Sequence, residues 1–329
     1  MIQNKITIIG AGLVGSTIAH TLMLSSLASD IVLIDINKEK TEGEVMDLRH
    51  CTPALLPVNV YPGDYSDCAD SKIIIITAGI AQNPNESRLN LAQRNTEVFQ
   101  SIIGQIKPYY DNSVILVVTN PVDILTYVTI KLLNRNPYKI IGSGTILDTA
   151  RFRYILNEYL NVDSRNISAY IIGEHGDQSV PVWSAISVSG ININNFQIEN
   201  EKIAKIKQKI HDEVVKSAYQ IIERKGSTYY GIAVAIRTVV ESIIRNHSGI
   251  FPVSTLMNGQ YGIDDVCLSL PVIIDSSGIK KVLNLSLSTS EIQNLRNSAN
   301  LLKSVLSNLN YNSSFECDPL NDFTEQQTG

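Results

Sequence analysis

The stretch KITIIGAGLVGSTIAH, residues 5–20, constrains this chain more than any other. A β-branched run ends directly in a GxGxxG turn, and an apolar helical run follows. At such a junction each glycine has a separate task. Gly10 makes the tight turn, Gly12 lets backbone approach a pyrophosphate, and Gly15 permits close packing of helix on strand. Free N–H groups at the helix start then receive the diphosphate. Twenty residues beyond Gly15, the run DIVLIDI ends near Asp35, whose carboxylate is placed to accept hydrogen bonds from ribose hydroxyls. The same charge repels a 2′-phosphate, which favours NAD over NADP, although Lys38 and Lys40 soften that exclusion.

Similar β-branched runs recur at 30–36, 72–79, 114–120 and 139–144, separated by helical stretches. Strands buried on both faces and alternating with helices form a doubly wound parallel sheet. The reading is therefore an α/β chain, a Rossmann domain over residues 1–144. From Thr145 the pattern changes to longer helices mixed with hairpin-like strands, GIFPVSTL and VCLSLPVIID bracketing NGQYGID. A mixed α+β substrate domain is expected over 145–311. The helix expected at 201–224 aligns Ile203, Ile206, Ile210, Val214, Ile221 and Ile222 near one stripe. Ser288 and Glu291, at capping-box spacing, open a last helix to about Leu309. Residues 312–329 are polar, acidic and aperiodic, and are expected to be disordered.

A dinucleotide cofactor implies redox chemistry, so the second domain should hold a substrate and a proton carrier. The chain has only five histidines, and His175 stands in GEHGDQSV between Gly173 and Gly176. Asp148 and Arg151, three residues apart, share one helix face, whereas Arg153 points elsewhere. Asp148 can accept a ring N–H of His175, fixing the tautomer and favouring the imidazolium. Arg151 suits the carboxylate of a 2-oxo or 2-hydroxy acid, because a guanidinium forks onto a carboxylate. The segment TAGIAQNPNESRLNL reads as a loop or lid that brings Arg88 to polarise a carbonyl. Asn120, in TNPVDILTYV, falls at the carboxyl end of a strand, where open α/β sheets bind ligands.

Other classes fit poorly. A net charge of −5 supplies no broad basic surface for nucleic acid or an anionic membrane. No run reaches the ~18 apolar residues of a membrane span. Residues 5–29 superficially resemble a signal peptide, but cleavage would delete the strand-turn-helix unit. Cys51, Cys68, Cys267 and Cys317 are too widely spaced for a metal knot or disulfide framework, so no metal is expected and a reducing compartment fits.

Taken together, these segments resemble the NAD-dependent L-lactate dehydrogenases of bacterial type, in order from Lys5 to about Leu309. The resemblance also covers KGSTYYGIA and GSGTILDTARFR. It implies His175 as proton donor and acceptor, Asp148 as its partner, Arg151 as carboxylate anchor and Arg88 as lid residue. It further implies cofactor contacts from Val14, Asp35, Lys40, Tyr65, Gly79, Ile80, Ser101, Thr119, Asn120 and Ser143, and substrate contacts from Gln82 and Thr228. Pyruvate and L-lactate would be the substrates, because similar malate dehydrogenases carry an arginine where Gln82 stands. A cytoplasmic homotetramer serving fermentation is the implied setting. Relatives activated by fructose 1,6-bisphosphate place an arginine and a histidine at a subunit interface. Here Arg153 is matched but Ser168 replaces the histidine, so activation is expected to be weak or absent. The alternatives are a dehydrogenase for malate or a branched 2-hydroxy acid, and a non-catalytic NAD-binding protein.

Overall fold

The computed structural model describes residues 4–81, 87–195 and 200–311. Gln82 and the expected tail lie outside them. In chain order the first half runs β1 (Lys5–Ile9), α1 (Leu13–Leu24), β2 (Asp30–Ile34), α2 (Lys38–Cys51), β3 (Asn59–Pro62), β4 (Ile73–Ile76), α3 (Arg88–Ile106), β5 (Val114–Val117), α4 (Val122–Leu133) and β6 (Ile140–Gly142). The second half runs α5 (Ile146–Leu160), β7 (Ile167–Ser168), β8 (Ile171–Gly173), β9 (Ser179–Pro181), β10 (Ser187–Val188), β11 (Ile191–Asn192), α6 (Asn200–Lys225), α7 (Tyr230–Arg245), β12 (Gly249–Asn258), β13 (Asp264–Asp275), β14 (Gly278–Val282) and α8 (Thr289–Ser307).

The first six strands lie parallel in the order β3-β2-β1-β4-β5-β6. This is the order of a dinucleotide-binding sheet, with its crossover reversal between β1 and β4. The five runs read from sequence all appear. The edge strand β3 does not stand out in the sequence, because its four residues NVYP carry little alternation and end in proline.

Side-chain alternation divides the core between two faces. Ile6, Ile8, Ile31, Leu33, Ile73 and Ile75 pack with Ile18 and Leu22 of α1 and with Ile236 and Val240 of α7. The other face sets Ile74, Ile76, Ile115 and Val117 against Phe99 and Ile103 of α3 and Leu125 and Val128 of α4. Each such side chain contributes roughly 1.5–3 kcal/mol by leaving water. Helix α7 thus completes the first half from the second half of the chain.

The sheet also crosses the boundary. Ser254 of β12 pairs antiparallel with Gly142 of β6, and β12 forms the expected long hairpin with β13. A small sheet β11-β10-β7 covers a third cluster, in which Phe152, Ile155 and Leu156 of α5 meet Ile210 and Val214 of α6. The expected α6 stripe holds only in part: Ile210 and Val214 are buried, but Ile221 and Ile222 are 36% and 49% exposed. The side chains of Ile203 and Ile206 lie outside the described residues. Helix α8 has the expected capping box: the Ser288 hydroxyl accepts the Glu291 N–H, and Glu291 accepts the Ser288 N–H.

Candidate active site

At the carboxyl edge of the sheet, β1 gives way to the glycine turn. Gly10 has φ +109°, and a Cβ there would lie 2.5 Å from the Ala78 nitrogen. A Cβ on Gly15 would come within 1.9 Å of the Gly10 carbonyl oxygen, so helix and turn touch there. Gly12 differs, since a Cβ on it would meet nothing within 4 Å. Its open side borders the start of α1, where no side chain caps the helix and the first N–H groups are left for an anion. Asp35 follows β2, accepting the Ala11 N–H at 2.7 Å and the Asn37 N–H at 3.0 Å. It therefore braces the turn as well as ending the strand. Leu13, Ile36 and Ile80 expose apolar surface at 54%, 94% and 40% along the same edge. An uncapped helix start, open backbone and a strand-end carboxylate fit a dinucleotide.

Further expected cofactor residues follow the same edge. Gly79 and Ile80 succeed β4, Thr119 and Asn120 succeed β5, and Ser143 succeeds β6. Asn95 of α3 ties two of these loops together: it accepts the Ile80 N–H at 2.7 Å and donates to the carbonyls of Ile80 (3.1 Å) and Asn120 (2.9 Å). Thr119 donates to the Ala78 carbonyl at 2.8 Å. Val14 lies in the first turn of α1. Lys40 on α2 and Ser101 on α3 are exposed, and Tyr65 packs half-buried against the core. No described contact ties these last three to the glycine turn.

The group around His175 forms where α5 meets β8. The Thr145 hydroxyl donates to the Ile171 carbonyl at 2.5 Å and Thr149 accepts the Ile171 N–H at 2.9 Å. These bonds pin the first turn of α5, which carries Asp148, to Ile171, four residues before His175 in the chain. Asp148 then takes His175 Nδ1 on Oδ2 at 2.5 Å and donor N–H of Arg151 on Oδ1 at 2.9 Å. Burial alone would raise the Asp148 carboxyl pKa, but the flanking His175 and Arg151 outweigh it and hold the group below its usual range. Burial works against a charged His175 ring, yet Asp148 more than offsets this and raises its pKa to about 9. The side chain is still 24% exposed, so the ring has an open side. His175, Asp148 and Arg151 converge as expected. A cavity of about 720 Å³ opens between α5 and α6 with Arg151 in its wall.

Arg88 is reached differently from the sequence expectation. It is not a loop residue but the first residue of α3, since the Ser87 hydroxyl accepts the Asn90 N–H and starts the helix there. Its guanidinium pairs with Glu174 at 3.1 Å and with Asp177, the two acids beside His175. Burial raises the Glu174 pKa more than Arg88 lowers it. Gly173 has φ +84°, and a Cβ there would approach the Ser298 hydroxyl at 3.0 Å. The glycine therefore serves the turn and the approach of α8. Thr228 lies half-buried in the turn joining α6 to α7. Arg153 packs inward, donating to the Ala169 carbonyl at 3.0 Å with its guanidinium 5.4 Å from the Tyr170 ring, while neighbouring Ser168 is exposed.

Sequence reasoning missed Asp123 and Ser254. Asp123 accepts the His175 backbone N–H at 2.8 Å and the Ser254 hydroxyl at 2.5 Å. Its presence in TNPVDILTYV was the available signal. Among the described residues, no group of three or more His, Cys, Asp or Glu could hold a metal, and no helix is long and apolar enough to cross a membrane.

A glycine turn open for a dinucleotide, in a chain that also gathers an imidazole, its aspartate and a guanidinium, is the pattern of an NAD-dependent oxidoreductase. The chain belongs to the lactate/malate dehydrogenase family: residues 4–142 match its NAD-binding domain and residues 145–311 its alpha/beta C-terminal domain. Among curated relatives, the L-lactate dehydrogenase of Acetivibrio thermocellus is 53% identical over 310 residues, covering 93% of this chain and 97% of that one. That of Clostridium acetobutylicum, L-lactate dehydrogenase 1, is 46% identical over 309 residues, 93% of this chain and 99% of its own. The solved minor L-lactate dehydrogenase of Enterococcus mundtii superposes with a TM-score of 0.89 at 35% identity, covering 94% of this chain and 99% of that chain.

Proposed function

We propose that this chain is an L-lactate dehydrogenase, reducing pyruvate to (S)-lactate and running in reverse, in fermentation. The observation that carries this reading is the position of Asp148 between His175 and Arg151. It sets a protonated imidazole and a carboxylate-binding guanidinium on one support. When bound, NADH supplies the hydride that reaches the carbonyl carbon. Arg151 grips the substrate carboxylate with paired hydrogen bonds. His175 points its second ring nitrogen at the carbonyl oxygen, delivers a proton as charge develops there, and recovers it in the oxidative direction. Arg88, released from Glu174 and Asp177, polarises the carbonyl.

The resemblance assigns Gln82 and Thr228 to the substrate's far end, and both residues are uncharged. Oxaloacetate would leave its second carboxylate unpaired there, at a cost of about 3 kcal/mol or more, roughly a hundredfold. NADH consumption with pyruvate and with oxaloacetate, compared as kcat/KM, tests this. Equal rates would sink the lactate reading, and no turnover of either would favour a non-catalytic NAD-binding protein. A cytoplasmic homotetramer is the setting that the resemblance implies. With Ser168 in place of a cationic partner for Arg153, fructose 1,6-bisphosphate has little to hold it.

A further inference from the structure

Two buried carboxylates touch His175, and the reaction just described uses only Asp148. The second, Asp123, stands in the first turn of α4 at 3% exposure, three residues beyond Asn120. One oxygen accepts the His175 backbone N–H at 2.8 Å and the other accepts the Ser254 hydroxyl at 2.5 Å. Ser254 is itself placed at the seam of the sheet, opposite Gly142 of β6 on one side and Ser269 of β13 on the other.

A buried carboxylate costs several kcal/mol unless donors and positive potential surround it. Here two donors and the N-terminus of α4 offset part of that cost: burial still raises the Asp123 pKa to about 6, so the group is charged at neutral pH and above. The charged and titratable groups facing it are His175 and Glu174 from the loop and Cys267 from β13, while His175 also faces Asp148 and Arg151 from α5. Of these, His175 alone can gain a proton in the reaction, and the Asp123 charge favours its protonated ring. A packing role would need no charge at this position.

We propose that Asp123 is a positioning residue for proton transfer: it fixes the His175 backbone to α4 on the cofactor side and supplies a second negative charge favouring the imidazolium, with Ser254 orienting the carboxylate. The proposal rests on the lactate dehydrogenase reading, which wild-type turnover of pyruvate tests separately.

The experiment is Asp123→Asn in the full chain, with kcat/KM for pyruvate followed against pH at saturating NADH. Asparagine keeps an acceptor for the His175 N–H and removes the charge. The expected result is an alkaline limb displaced to lower pH by about half a unit to one unit. NADH affinity and the pyruvate KM at neutral pH should stay within about twofold of wild type. An unmoved limb overturns the proposal, whatever the change in turnover. Should that variant not fold, Ser254→Ala removes only the tether. Its turnover should fall about three- to tenfold with unchanged NADH affinity, in line with loss of one hydrogen bond. Unaltered turnover in Ser254→Ala would overturn the proposal equally.

Discussion

Asp148 Oδ2 lies 2.5 Å from Nδ1 of His175 while its other oxygen holds Arg151 at 2.9 Å. The carboxylate therefore settles both the tautomer of the ring and the direction of the guanidinium. With the His175 pKa raised from 6.5 to about 9, the ring is charged at neutral pH and ready to donate. The kcat/KM for pyruvate reduction should stay level from neutral pH to about 9 and fall above it, whereas lactate oxidation should gain as the ring loses its proton. Rate measurements in both directions across pH 6–10 check this, and a limb near 6.5 would contradict it. The same interaction contributes stability that is present below the ordinary histidine pKa and is lost as pH rises through about 9.

Replacing His175 with Asn keeps similar volume and removes the proton carrier. Turnover should drop by about 10²- to 10⁴-fold, the usual worth of a positioned acid-base group. NADH binding, followed by fluorescence, should be retained. Near-normal turnover would exclude the role given to the ring.

For Asp148→Asn, the ring loses its main charged partner. The alkaline limb should retreat toward the ordinary histidine range near 6.5, with lower turnover throughout. A profile identical to wild type would show that the partner does not set the proton affinity.

Arg151→Lys retains the charge but not the fork. Loss of one charge-assisted hydrogen bond, about 1.5–3 kcal/mol, should raise the pyruvate KM by roughly ten- to a hundredfold. The response to NADH should be unaltered. An unchanged pyruvate KM would mean that the carboxylate is held elsewhere.

Adding fructose 1,6-bisphosphate at millimolar concentration should shift the pyruvate half-saturation by less than about twofold. Arg153 is already engaged with Ala169 and Tyr170, and Ser168 offers no cation. A large fall in half-saturation would refute this.

The features legible in the sequence are those coded over short spans. The glycine turn with Asp35, the Asp148 and Arg151 spacing and the Ser288–Glu291 cap each follow from local geometry. Arg88 was misplaced because a polar run reads as a loop, although Ser87 is a sufficient helix start. Asp123 and Ser254 could not be joined to His175 from the sequence for another reason. Asp123 lies 52 residues from His175 and 131 from Ser254, and they become neighbours through the closure of the sheet, β12 onto β6 and β8 onto β13. No periodicity encodes such a meeting.

That closure has a mechanical meaning. Because β12 continues the sheet that carries the glycine turn, the two halves of the chain share one floor and their mutual angle is not a free coordinate. Any breathing needed to admit pyruvate and let lactate escape falls to the turns and helices standing above it. Warming the enzyme should therefore extinguish activity by melting the whole sheet, with no earlier stage in which two intact halves swing apart.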